Sequence, residues 1–387
     1  MVNGENRRMV TSKCVIMYLE KIKISNFKSY SDAEVLFSHN INCLVGNNGV
    51  GKTNLLDSIY YLSFSKSYFN SADNQNIKFN EEFFAIHGSY ILPGTTDLQQ
   101  VSCIQKRGQS KQIKYNKKLY SKISDHIGKI PLVMISPYDQ DLIQGGSEIR
   151  RKFLDGVISQ TDNLYLEQLL QYQKALEQRN KLLKTFYENR YFDEAMLSLW
   201  DEQIVRLGTP IYETRKSFLE SFIPIFSSYY TMISAVNEPV FIEYDSQLHN
   251  EDFMNLLQCA WTKDAYTQYT TVGIHKDDLN FKIGEELFPI KKFGSQGQQK
   301  TFVLALKLAQ FEYIANSRKI KPILLLDDVF DKLDILRVKQ LINLVGSDRF
   351  GQVFLTDTQQ GRVEAIFEDS AIEHKIFTIE KDNVQIQ

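Results

Sequence analysis

Gly46-Asn47-Asn48-Gly49-Val50-Gly51-Lys52-Thr53 is the stretch that decides the fold. Before it, Asn40 to Val45 is short and largely apolar, as a buried strand requires. After it, Leu55, Leu56, Ile59, Tyr60 and Leu62 predict a helix from Asn54 to Phe64. A G-x-x-x-x-G-K-[ST] loop between strand and helix is built for phosphate: its glycines let backbone N–H groups close around the anion. The helix N-terminus adds the positive end of its dipole. Lys52 is expected to reach the β and γ phosphates and Thr53 to ligate Mg²⁺, with Gly46, Asn47, Asn48, Gly49, Val50 and Gly51 as the cradle.

Far downstream, Ile323-Leu324-Leu325-Leu326-Asp327-Asp328 places two carboxylates at the end of an aliphatic run. A buried strand would deliver Asp327 to the Mg²⁺ and Asp328 to the attacking water, so Lys52 and Asp328 are the expected catalytic pair. Between loop and strand, Phe293-Gly294-Ser295-Gln296-Gly297-Gln298-Gln299-Lys300 precedes a strong helix from Thr301 to Ala315. A Ser-x-Gly-Gln turn opening a helix, some 30 residues before the Asp-Asp strand, resembles the signature of ABC-type ATPases. That resemblance implies that Ser295, Gly297 and Gln298 touch the γ-phosphate of ATP held by a partner subunit. Asp331 to Asp334 takes the D-loop place, and Val353 to Thr358 supplies a further strand and a polar switch residue.

Working outward, 387 residues suffice for two or three domains with buried cores. Hydrophobic residues at 43% and charged residues at 24% exclude bulk disorder. No apolar run approaches the ~18–20 residues that cross a bilayer, so no membrane partner is expected. Cys14, Cys43, Cys103 and Cys259 form no CxxC pair, which argues against zinc and disulfides and fits a reducing cytoplasm. The net charge of -2 decides nothing about nucleic acid, because phosphate contact depends on local potential.

The fold expected is α/β: a P-loop ATPase head of the ABC type with a β meander, plus a short helical arm. Residues 1–16 are set aside as a flexible N-terminal extension. Residues 17–150 form the first part of the head, 151–239 the arm, and 240–387 the second part of the head with signature and Asp-Asp strand. Leu19 to Phe27 alternates as a half-buried strand, and Phe83 to about Tyr120 is a meander broken at Pro93-Gly94 and Arg107-Gly108. In the arm, Leu169, Tyr172, Leu176 and Leu183 face Leu197, Trp200, Ile204, Leu207 and Ile211 as two side-by-side helices joined around Asn189 to Asp193. Pro210 is expected to bend or end the second helix.

Lys106, Arg107, Lys111, Lys114, Lys117, Lys118 and Lys122 lie on the meander without an acidic residue among them, interleaved with Tyr115 and Tyr120. Such a surface attracts a DNA backbone, or alternatively guards a hairpin edge against aggregation. Arg150, Arg151 and Lys152 form a second basic group at the base of the arm, suited equally to phosphate or to acidic side chains.

Taken in order, these motifs resemble the RecF family of SMC-related recombination and repair ATPases. The resemblance runs from Met17 almost to the C-terminus through LEKIKISNFKSY, the P-loop, Ser136 to Leu142, Gly145 to Asp155, Tyr172 to Lys184, Gly273 to Leu279, SQGQQK and LLLDDVFDKLD. It implies an ATP-dependent homodimer, closed head to head around two nucleotides and holding single-stranded or gapped DNA. It also implies slow hydrolysis and work with recombination mediator proteins in recombinase loading and SOS induction. The chain departs from the family at Phe69, Ile274 and Lys276, where Arg, Pro and Arg are usual; Lys276 keeps the charge without the bidentate fork. The rival expectation is the ATPase subunit of a transport assembly.

Overall fold

The computed structural model describes residues 15–70, 72–92, 97–234, 238–330, 335–368, 372–381 and 383–386. The Pro93-Gly94 turn, the D-loop stretch 331–334 and residues 1–14 lie outside the described residues. Val15–Ile16 pairs in parallel with Ile320–Lys321, so ordered structure begins two residues before the boundary expected at 17.

A six-stranded sheet carries the site. Its order is Asn383–Ile386, His374–Glu380, Ile41–Val45, Val353–Asp357, Ile323–Leu326 and Leu132–Ile135. All neighbours are parallel except the first pair. Both faces are covered, and the period of two sorts side chains between them. Cys43, Val45, Val133, Ile135, Leu324 and Leu326 enter one apolar cluster with the helix Gln296–Arg318 and the arm. Leu44, Leu132, Met134, Ile323 and Leu325 enter the other, with the helix Lys52–Phe64 and the meander.

The meander is one antiparallel sheet of Tyr30–Leu36, Tyr18–Phe27, Phe83–Ile91, Leu98–Lys106, Gln112–Tyr115 and Lys118–Leu119. Asn116 and Lys117 at φ +49° and +67° make the two-residue turn between its last strands.

The helices Asn163–Asn189 and Glu194–Ile233 pack side by side, with Leu169, Tyr172, Leu183, Leu197, Ile204, Leu207 and Ile211 buried. A third helix, Phe253–Thr267, packs against both. Pro210 does not end the second helix, which continues through it and through Pro224. A proline inside a helix costs about 3 kcal/mol. Here Ile211, Phe218, Phe222 and Phe226 are buried along the same helix, and that packing outweighs the lost amide bonds.

Candidate nucleotide site and basic surface

The loop 46–53 leaves the central strand at Val45 and enters the helix at Lys52. Gly46 has φ +152°, and a Cβ there would meet the Ile379 carbonyl oxygen at 2.5 Å, so backbone crowding demands glycine. The Tyr30 hydroxyl donates to the Gly51 carbonyl at 3.2 Å and pins the loop from the meander side. Lys52 is buried, and its Nζ donates to the Gly46 and Asn47 carbonyls at 2.7 and 2.9 Å. Its ammonium therefore lies folded back against the backbone of its own loop.

Asp327 closes the other side. The Thr53 and Thr356 hydroxyls both donate to Asp327 Oδ1 at 3.0 Å. Burial, and then the neighbouring charge of Asp328, push the Asp327 carboxyl up to about 6. A hard divalent cation fits here, because Asp327 and Thr53 offer two close oxygens and, among the described residues, no ion pair occupies the carboxylate. Among the described residues no group of three or more His, Cys, Asp or Glu is arranged to hold a metal ion. Asp328 sits at φ +46°, with its amide donating to the Thr356 hydroxyl at 2.8 Å. Thr356 thus holds both carboxylates in register. The reading of 353–358 as a strand with a polar switch residue did not single it out.

Ser295 caps the helix Gln296–Arg318, accepting from the Gln298 amide while Gln298 Oε1 accepts from the Ser295 amide. Gln298 Nε2 also donates to Glu238. The cap is exposed, and among the described residues no hydrogen bond joins 295–298 to 46–53 of the same chain. Asp328 and the first turn of this helix meet in a cavity of about 390 Å³ lined also by Ser136, Gln140 and Gln299.

The meander lysines separate. Lys111 donates to Asp73 at 2.7 Å, lies over the Tyr61 ring and is mostly buried, so it leaves the expected DNA set. The linear charge run could not show this, because Asp73 reaches it from a distant turn. Arg107 donates to the Glu81 carbonyl, and Lys122 faces Glu167 at 3.6 Å in solvent. Lys106, Lys117 and Lys118 are exposed. Strand register puts Lys114 in a cross-strand row with Ser102, His87 and Lys23, whereas Lys118 pairs with Tyr115 on the opposite face. Desolvation, and then the charges of Lys23 and Lys114, hold the His87 imidazole below its ordinary range.

At the base of the arm the basic residues are occupied. Arg150 makes a two-pronged bond to Asp278, Arg151 donates to the Asp277 carbonyl, and Lys152 pairs with Glu148. Arg215 joins Asp155 to Asp277, and His275 Nδ1 meets the Tyr172 hydroxyl. The stretch Gly273 to Leu279 is therefore bonded to the helices Ser147–Thr161, Asn163–Asn189 and Glu194–Ile233. Ile274 is buried there, and Lys276 Nζ lies 5.0 Å from the Tyr269 ring centre.

The model of the RecF/RecN/SMC N-terminal domain matches residues 18–381. The DNA replication and repair protein RecF of Flavobacterium johnsoniae is 52% identical over 363 residues, 94% of this chain and 100% of that protein. Its counterpart in Bacteroides thetaiotaomicron is 46% identical, covering 94% and 97%. A solved structure of the recombination mediator RecF with ATP, in the RecFOR pathway, superposes with a TM-score of 0.87 at 31% identity, covering 96% and 98%. The Smc head domain of Pyrococcus furiosus, at 18% identity and a TM-score of 0.57, shares the fold. No helix among the described residues is long and apolar enough to cross a membrane.

Proposed function

Because the chain belongs to the RecF family of the RecF/RecN/SMC ATPases, we propose that it closes as a dimer around two ATP molecules and thereby grips DNA. Its class is that of a DNA replication and repair ATPase acting as a recombination mediator. The expectation of a transport ATPase subunit is set aside, since these relatives are DNA repair proteins.

The observation that carries the clamp is the split of the site. Thr53 bonds Asp327 and Lys52 folds onto the same loop within one chain, while the Ser295 cap is exposed and, among the described residues, makes no hydrogen bond to that loop. A second copy presenting its Ser295 turn would supply the missing donors to the γ-phosphate. Nucleotide would then belong to the interface, and its binding free energy would be linked to dimerisation. Mg²⁺ would rest on Thr53 and Asp327 and supply charge neutralisation at the β and γ phosphates. Asp328 would orient the attacking water. Loss of the γ-phosphate removes the group both subunits touch, and the clamp opens. The DNA is single-stranded or gapped, and the cell compartment is the cytoplasm.

Asp328→Asn tests the division of labour. It should bind ATP as tightly as the parent, hydrolyse at least tenfold more slowly, and remain dimeric after ATP addition. Hydrolysis at the parental rate removes Asp328 from the water-positioning role.

A further inference from the structure

Between the helix Lys52–Phe64, the helix Ser147–Thr161 and the helix Gln296–Arg318 lies a second cleft of about 540 Å³. No residue of 46–53 lines it. Three features set it apart from ordinary packing.

Its mouth is aromatic. Tyr138 is 67% exposed, and its ring meets Phe69 edge-on with centres 5.6 Å apart. An exposed tyrosine backed by a second ring is a platform for a flat partner.

Its inner wall holds unsatisfied amides. Gln160 and Gln310 are 1% and 7% exposed, yet among the described residues Gln160 Nε2 and Gln310 Oε1 have no hydrogen-bond partner. One is a donor and the other an acceptor, and leaving both unmade in a buried place costs free energy.

Its charge matches one phosphate. Lys307 is committed to Asp139 and Lys152 to Glu148, whereas Lys66 makes no ion pair among the described residues. Although Lys66 is exposed as a residue, desolvation of its ammonium and then the like charges of Lys152 and Lys111 hold it below the usual lysine range. Asp141 on the rim disfavours a polyanion. One free cation suits a single phosphodiester better than a di- or triphosphate.

We propose that this cleft receives one unstacked base of single-stranded DNA, stacked on Tyr138 and edge-bonded by Gln160 and Gln310, with its flanking phosphate on Lys66. The inference rests on the reading of the chain as a DNA-binding protein and adds the place and form of contact. An unpaired base offers its Watson–Crick edge and both faces, which pairing and stacking take up in a duplex. Stacking accepts any base, so the contact senses single-strandedness rather than sequence.

The test uses the full-length protein and a short single-stranded oligonucleotide carrying 2-aminopurine, with emission and anisotropy read together. The parent should bind and change the emission. Tyr138→Ala and, separately, Lys66→Glu should weaken single-strand binding by roughly tenfold, with duplex binding and ATP-driven dimerisation unchanged. Both side chains are at the surface, so folding is not at stake. Parental affinity in both variants overturns the cleft contact while leaving the clamp intact. So does competition by free deoxyadenosine monophosphate as strong as that by the oligonucleotide, which would mark a small-molecule site. A parent that binds no DNA overturns this inference and the proposed function together.

Discussion

The Thr53 hydroxyl donates to Asp327 Oδ1 at 3.0 Å, although 274 residues separate the two in sequence. The bond ties the phosphate loop to the Asp-Asp strand before any ligand arrives. Thr356 donates to the same oxygen from the neighbouring strand, so one carboxylate joins two strands of the central sheet to the first turn of the helix Lys52–Phe64. A cation at this point takes over bonds that already exist, which is preorganisation in a literal sense.

The raised Asp327 carboxyl gives this arrangement a pH signature. Its folded value of about 6 lies above the ordinary 3.8, so the folded state disfavours the ionised form. The resulting penalty is absent below the unfolded value, grows through the interval, and is complete above about pH 6. Asp327→Asn should therefore stabilise the nucleotide-free protein near pH 8 by on the order of 2–3 kcal/mol and give almost no gain near pH 4. Thermal unfolding at the two pH values checks it. Mg²⁺-dependent ATP binding should weaken as pH falls through 6, because proton and cation compete for one oxygen.

Lys114→Glu, Lys117→Glu and Lys118→Glu combined should lower DNA affinity in a manner that steepens at low salt, with ATP binding unchanged. Each phosphate contact removed lowers the slope of log affinity against log salt by about 0.7–0.9. Lys111→Glu, by contrast, should act on stability, since it breaks a pair with Asp73. Salt-titrated binding and thermal melts of the two variants separate these effects. Unaltered DNA affinity of the triple variant at low salt removes the hairpin from the interface.

Arg179→Leu should destabilise the arm strongly. Arg179, Asp201 and Asp264 are all fully buried, with the guanidinium bonded to each carboxylate at 2.6 Å. Trp261 Nε1 adds a donor to Asp201, and Thr270 accepts from Arg179. Removing the guanidinium leaves two buried carboxylates without their bonded cation, a loss of about 3–5 kcal/mol. A urea titration measures it, and a loss below about 1 kcal/mol contradicts the account.

The parts legible in the sequence are those in which a short contiguous motif fixes its own backbone. The phosphate loop, the aliphatic strand before Asp327 and the Ser295 cap are of this kind. The arm's seam was legible too, because helical spacing survives from residue to residue. Arg179 falls on that seam, seven after Tyr172 and four before Leu183, so its burial had a signal in the pattern. What escaped depends on partners far along the chain. Lys111 looks free until the turn carrying Asp73 folds against it. Lys114 and Lys118 look like one patch until strand pairing turns them to opposite faces. Pro210 looks like a helix end until the buried rings around it are counted.

In the proposed clamp, ATP joins two copies through Lys52 of one and Ser295 of the other. Light scattering of the full-length protein with Mg²⁺-ATP, with and without single-stranded DNA, tests it most directly. The account predicts a monomer without nucleotide and a dimer with it, the dimer being lost in both Lys52→Ala and Ser295→Arg while Ser295→Arg alone still binds ATP. A parent that stays monomeric at saturating ATP with DNA present, or a Ser295→Arg variant that dimerises normally, contradicts it.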